Sequence, residues 1–247
     1  YYIYDAAGAK PTTATGKLYT TLTEGYTGWY ANGNSKTYAI DNISIRAESI
    51  VGRTNVEVTE PFWFRDDFGD ATSIGRYSVK AATTTTIASD KITIKRGSTS
   101  MVGAVVLPAI LTDTTQTGSI KLLQTAERGQ IYLRIQNLWG GLHNANFAYG
   151  YRIEVSETAI VLKRVDNYVE TTLATYSTTV TSGTWYTFIA NIIGNTITFQ
   201  WNGSGIDNIS YTDTTYASGC AGIGARYSDI DYQGVEFSNL QISGTRV

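Results

Sequence analysis

The 247-residue chain has one cysteine, one histidine, one methionine and three prolines, and few charges for its size. Each scarcity excludes something. A lone Cys220 cannot form a disulfide within the chain, and it reads as a small core residue. A lone His143, with no serine or cysteine signature beside it, leaves no material for a hydrolase triad. No Cys/His/Asp set has transition-metal spacing. Charged residues make up 16% of the chain, and the net charge is −2 with basic residues scattered. A phosphate backbone needs a basic cluster, so nucleic acid is not expected as a partner. No apolar run approaches the ~20 residues of a membrane helix, so no membrane insertion is expected. The most apolar stretch, 101–111, contains Pro108 and reads as a buried, kinked strand. Trp139-Gly140-Gly141 lacks the following Lys-Ser/Thr of a phosphate-binding loop.

What fills the space is threonine, tyrosine and glycine. The first two suit a pleated, half-exposed surface. Period-two alternation recurs along the chain. Ile92 and Ile94 form one such set, Ile131, Leu133 and Ile135 another, and Ile197, Phe199 and Trp201 a third. Turn signals such as Gly194-Asn195 and Asn202-Gly203 separate the runs. From Trp63 onward about a dozen runs follow one another, the spacing of an antiparallel sandwich. The stretch 185–193 is apolar on both alternations and is expected to be central and covered on both faces.

An internal repeat organises the chain. Thr20-Thr21-Leu22 with Gly25, Gly28 and Ala31 matches Thr214-Thr215-Tyr216 with Gly219, Gly222 and Ala225. Asn42-Ile43-Ser44-Ile45 matches Asn239-Leu240-Gln241-Ile242. Residues 1–47 therefore read as the last strands of an incomplete module, 48–61 as a linker, and 62–247 as a complete one. A few strands cannot close a two-sheet core. Upstream sequence of the same polypeptide, or a neighbouring copy donating strands, is expected to complete the first module. The start at Tyr1 rather than methionine reads as a processed or partial piece of something longer.

Gly183-Thr184-Trp185-Tyr186, an apolar strand, Gly194-Asn195-Thr196 and then Trp201-Asn202-Gly203 resemble the late hairpin of laminin-G-like domains, members of the concanavalin A-like lectin/glucanase superfamily. Asp66-Asp67-Phe68 and 235–240 resemble the edges of such domains. The resemblance implies an all-β, antiparallel two-sheet jelly roll preceded by a partial β module. It also implies that Trp185 and Trp201 are core residues. Such domains bring their two ends together, which would place Asp66, Asp67 and Glu236 around a structural calcium.

Sugar binding needs aromatic rings for pyranose faces and planar polar groups for hydroxyls. Residues 137–149 offer Trp139, His143, Asn144 and Asn146, and the adjoining strands offer Tyr132, Arg134, Gln136 and Arg152. These form the expected glycan surface. A retaining glycosidase needs two carboxylates about 5–5.5 Å apart, as i and i+2 of a strand supply. Glu154 and Glu157 have the wrong parity, and Asp229 and Asp231 have the right one. Three functions stay open. The first is a non-catalytic structural or adhesive module of a larger extracellular, cell-surface or virion-surface protein. The second is a lectin-like carbohydrate-binding module of a secreted protein, and the third a glycoside hydrolase.

Overall fold

The alternating sequence forms strands wherever one parity is apolar. A computed structural model describes residues 60–80, 83–96, 102–136, 149–227 and 233–247. The chain divides into two compact units, Tyr1–Asn55 and Val56–Val247. The repeat partner at 1–47, most of the linker, Met101, the loop 137–148 and the Asp229/Asp231 pair lie outside the described residues.

Fourteen strands are described: β1 Glu60–Asp66, β2 Ser78–Lys80, β3 Thr83–Ile87, β4 Ile92–Arg96, β5 Val102–Leu122, β6 Glu127–Gln136 and β7 Tyr149–Val155, then β8 Ala159–Asp166, β9 Val169–Ser177, β10 Tyr186–Ile193, β11 Thr196–Trp201, β12 Ile209–Thr212, β13 Gly219–Tyr227 and β14 Val235–Arg246. A 3-10 turn, Ala71–Arg76, is the one helical element among the described residues. Every described pairing is antiparallel.

The strands stack in two layers joined through β5. The first half of β5 lies between β2 and β13, and the first layer continues through β6, β7 and β8 to β9 at its edge. From Leu111 onward β5 lies between β10 and β14, in a second layer that runs out to β11 and β12 on one side and to β1, β4 and β3 on the other. The crossing falls beside Pro108, where the ladder with β13 slips between Gly219 and Ala221. Proline has no N–H to give a ladder, so it sits at the slip and faces outward.

Ile92, Ile94, Val105, Ile131, Leu133, Ile153, Leu162, Phe188, Phe199 and Ile223 fill the space between the layers. Two alternation readings need correction. β10 is central, bonded to β5 and β11, but only Phe188, Ala190 and Ile192 are buried. Its other face meets water, and Ile193 is 60% exposed. Ile135 leaves the face of Ile131 and Leu133. Arg134 adopts φ 50°, the ladder with β7 slips, and Ile135 joins Tyr132, Val165, Ala104, Val106 and Cys220 in a small apolar cluster on the opposite side of the layer. A left-handed arginine is uncommon and must be held in place. Its guanidinium donates to the carbonyls of Thr112 (2.7 Å), Tyr216 (2.7 Å) and Gly194 (2.8 Å).

The Gly-x-x-Gly-x-x-Ala motif acquires a physical reason in β13, which lies tightly between β5 and β6. A side chain at Gly219 would meet the Arg134 backbone at 2.4 Å, and Ala225 is wholly buried. Gly224 lies under Tyr132, where a β-carbon would stand 2.5 Å from the phenol oxygen and 2.6 Å from the Gly103 carbonyl. Gly224→Ala is therefore expected to destabilise the protein by about 1–3 kcal/mol. Urea unfolding at equilibrium checks this, and an unchanged midpoint would mean that both Tyr132 and the Gly103 backbone can move aside.

Candidate functional site

The first layer buries one face in the core and turns the other outward, and on that outward face polar residues converge. Antiparallel register sets Arg226 beside Arg128, Gln130 beside Glu154, Tyr132 beside Arg152, and Arg152 beside Lys163. Glu154 accepts from Arg128 (2.9 Å), Lys163 (3.2 Å) and Arg226 (3.5 Å), and it forms an ion pair with Arg152 (3.4 Å). Gln130 also donates to it at 3.3 Å, and the Tyr132 hydroxyl donates to Gln130. Glu170, on the edge strand, accepts from Arg226 (2.8 Å) and Lys163 (2.9 Å), and it forms an ion pair with Arg152 (2.6 Å).

The Arg226–Glu170 pair fixes the shape of this face. Three strands separate β13 from β9. At ~4.8 Å per strand a flat sheet would hold the two residues ~19 Å apart, beyond the reach of two side chains. The layer must curl, with β9 folded back toward β13. The face is thus a concavity lined by planar charged groups. Tyr132, Arg152 and Glu154 are buried in it, while Arg128 remains 42% exposed at the rim.

Burial pushes the Glu154 carboxyl up, but Arg152, Lys163, Arg128 and Arg226 together hold it below the usual carboxylate range. The carboxylate is ionised at neutral pH. Burial also raises the Tyr132 phenol, which stays protonated and able to donate.

Of the residues read from sequence as a glycan surface, Tyr132 and Arg152 lie in this concavity. Arg134 does not, because its donors are spent on three backbone carbonyls. Gln136 donates to the Ser218 carbonyl at 2.8 Å. Trp139, His143, Asn144 and Asn146 lie outside the described residues. Sequence reasoning missed Arg128, Gln130, Glu154, Lys163, Glu170 and Arg226. Period two alone would have added Gln130 and Arg128 to Tyr132, and Glu154 to Arg152.

The three carboxylates expected around calcium have these partners in the structure. Asp66 is buried and accepts from Phe68 N (2.8 Å) and the Tyr77 hydroxyl (3.1 Å), and the exposed Asp67 accepts from Gly69 N (3.2 Å). Glu236 binds two ammonium groups, Lys91 at 2.6 Å and Lys121 at 2.5 Å. Two lysines neutralise the carboxylate a divalent cation would need. Among the described residues no group of three acidic, histidine or cysteine side chains is placed to hold a metal.

Two further polar sets are structural. Glu127 accepts backbone N–H bonds from Leu123, Gln124, Gln233 and Gly234, tying two loops together. Asp213 receives Tyr151 (2.7 Å) and Arg164 (2.8 Å). Burial pushes its carboxyl up, but bonds from Thr215, Tyr151 and Arg164 hold it down to about 2.

No family model matches the sequence, and no curated protein matches it. Solved structures do. A Bacillus subtilis protein of unknown function with a galectin-like fold superposes with TM-score 0.60 at 9% identity, covering 74% of this chain and 96% of that one. The carbohydrate-binding module CBM66 from Bacillus subtilis gives 0.53 at 13% identity, covering 70% and 96%. The fold is a galectin-like jelly-roll sandwich. The exoplasmic/lumenal domain of VIP36, solved with Ca²⁺ and Man3GlcNAc, is a jelly roll with TM-score 0.51 at 12% identity, covering 68% and 83%. At these identities the likeness concerns the jelly roll alone. No described helix is long and apolar enough to cross a membrane.

Proposed function

We propose that the chain is a non-catalytic carbohydrate-binding module of a larger extracellular protein, with kinship to laminin-G-like domains, and that its glycan lies on the concave face of the first layer. The carrying observation is the ion-paired lining of that face. Hydroxyl-rich ligands are held by planar donors and acceptors fixed in advance, because each rotamer frozen on binding costs affinity. Here Glu154, Glu170, Gln130 and four cations already hold one another in place. Trp139, His143, Asn144 and Asn146 belong to the segment between β6 and β7, so the chain ties them to two strands of this face. They are proposed as the stacking and hydroxyl-binding rim. The fold likeness to CBM66 and to the VIP36 domain supports the reading. Glu154, held ionised among four cations, is an acceptor and not a general acid.

A glycan array followed by calorimetry tests it. Wild type is expected to bind at least one glycan, and Arg128→Ala to weaken binding about tenfold by removing a charge-assisted hydrogen bond. Arg128 is exposed enough for the variant to fold. A purely structural or adhesive module without a sugar ligand would bind nothing on the array, and that result would overturn the proposal.

A further inference from the structure

Among the described ion pairs of the concave face, cations outnumber carboxylates. Arg128, Arg152, Lys163 and Arg226 meet two carboxylates, Glu154 and Glu170, which leaves two positive charges in excess within the network. The two carboxylates are not equivalent. Glu154 is 3% exposed at the floor, while Glu170 is 21% exposed and arrives from the edge strand. Its neighbours Val169, Thr171 and Thr172 stand in solvent. Three cations from three other strands converge on this one carboxylate: Arg152 of β7, Lys163 of β8 and Arg226 of β13.

A carboxylate carried on an exposed edge and gripped by three cations occupies the place that a ligand's own carboxylate would take. We infer that the concave face is selective for acidic glycans, and that the carboxylate of an acidic sugar displaces Glu170 from Arg226 and Lys163. The inference rests on the glycan-binding reading above and names the class of glycan. A guanidinium fork matches a carboxylate in geometry as well as charge, and an ammonium adds a point charge beside it. The same cations would accept a sulfate ester, so the two chemistries must be separated experimentally. Displacement is an exchange of one ion pair for another, so no charge is left buried without a partner. While Glu170 holds the site, it reduces the fraction of molecules ready to bind, and apparent affinity falls by that fraction.

The test is calorimetry of the full chain with polygalacturonate, dextran sulfate and neutral dextran. Polygalacturonate is expected to bind more tightly than neutral dextran, and its affinity to fall at least about tenfold between about 50 and about 500 mM salt. Glu170→Gln, which keeps the side chain's shape, is expected to raise polygalacturonate affinity about threefold or more. Arg226→Gln is expected to lower it about tenfold. If Glu170 only strapped the edge strand in place, Glu170→Gln would lower affinity or leave it unchanged, and the displacement would be wrong. Tighter binding of dextran sulfate than of polygalacturonate would reassign the ligand to sulfated sugars. Binding of neutral glycans at this face, with no preference for acidic ones and no salt dependence in wild type, would overturn the charge inference and leave the glycan reading intact. Absence of binding to every glycan on the array would overturn both. The salt dependence is read on wild type, so the inference stays testable if a variant fails to fold.

Discussion

Glu154→Ala is expected to cost about 3–5 kcal/mol of stability, the range for removing one partner of a buried ion pair. The side chain is 3% exposed and collects four cations, of which Arg152 is completely buried. Without it Arg152, Lys163 and Arg226 share the single carboxylate of Glu170, Arg128 loses its carboxylate contact to Glu154, and the mutual repulsion of the cations is less fully offset. Chemical denaturation of wild type and variant checks the magnitude. A loss under about 1 kcal/mol would show that water reaches the network and screens it. The same carboxylate gives a pH signature. Its folded pKa is depressed below its unfolded value, so its stabilising contribution is fully present above the unfolded pKa, near 4.3. That contribution is lost as the pH falls through the folded value. Glu154→Gln should therefore be less stable than wild type at pH 7, and the gap should narrow progressively below about pH 4.5. A constant gap across that range would mean that the carboxyl titrates alike in both states.

The second large effect separates two tryptophans that the sequence treated alike. Trp201→Ala is expected to cost about 3–5 kcal/mol, whereas Trp185→Ala should cost under about 1 kcal/mol. Trp201 is 5% exposed and stacks on Tyr186, ring centre to ring centre 5.0 Å, with Phe199 at 6.1 Å. Trp185 is 39% exposed, with the Lys121 ammonium 4.9 Å from its ring centre, so its expected place in the core is corrected. It stands just before β10, one residue out of step with the buried Phe188, Ala190 and Ile192. Tyr186 takes the inward place instead. Thermal melting of the two variants side by side decides between these outcomes. Equal losses would mean that Trp185 contributes packing that its exposure conceals.

The same comparison shows where reading along the chain succeeds. Ile92/Ile94 and Ile197/Phe199/Trp201 bury as their alternation demands, because within one regular strand parity alone selects the face. Parity fails where the ladder slips. Ile131, Leu133 and Ile135 looked like one row, yet the left-handed Arg134 turns the last of them to the other side. The carbonyls that hold Arg134 belong to Thr112, Gly194 and Tyr216, between 22 and 82 positions away, and no local pattern announces them. The partners of Glu236 were hidden for a related reason. The resemblance grouped Glu236 with Asp66 and Asp67, while the structure pairs it with Lys91 and Lys121, which are unremarkable in the sequence.

The sequence by itself determined the all-β class, the antiparallel order of alternating strands, the central place of β10 and the break in regular pairing beside Pro108. These follow from propensity, period two and the missing proline N–H, which act within a few residues. It also placed Tyr132 and Arg152 on a polar face. Only the tertiary structure decided that the layer curls until Glu170 of one strand meets Arg226 of another four strand positions away. It alone made Glu154 the shared partner of four cations. Those pairings depend on register and curvature summed over five strands, and a change of one residue in any ladder would turn a contributing side chain to the opposite face.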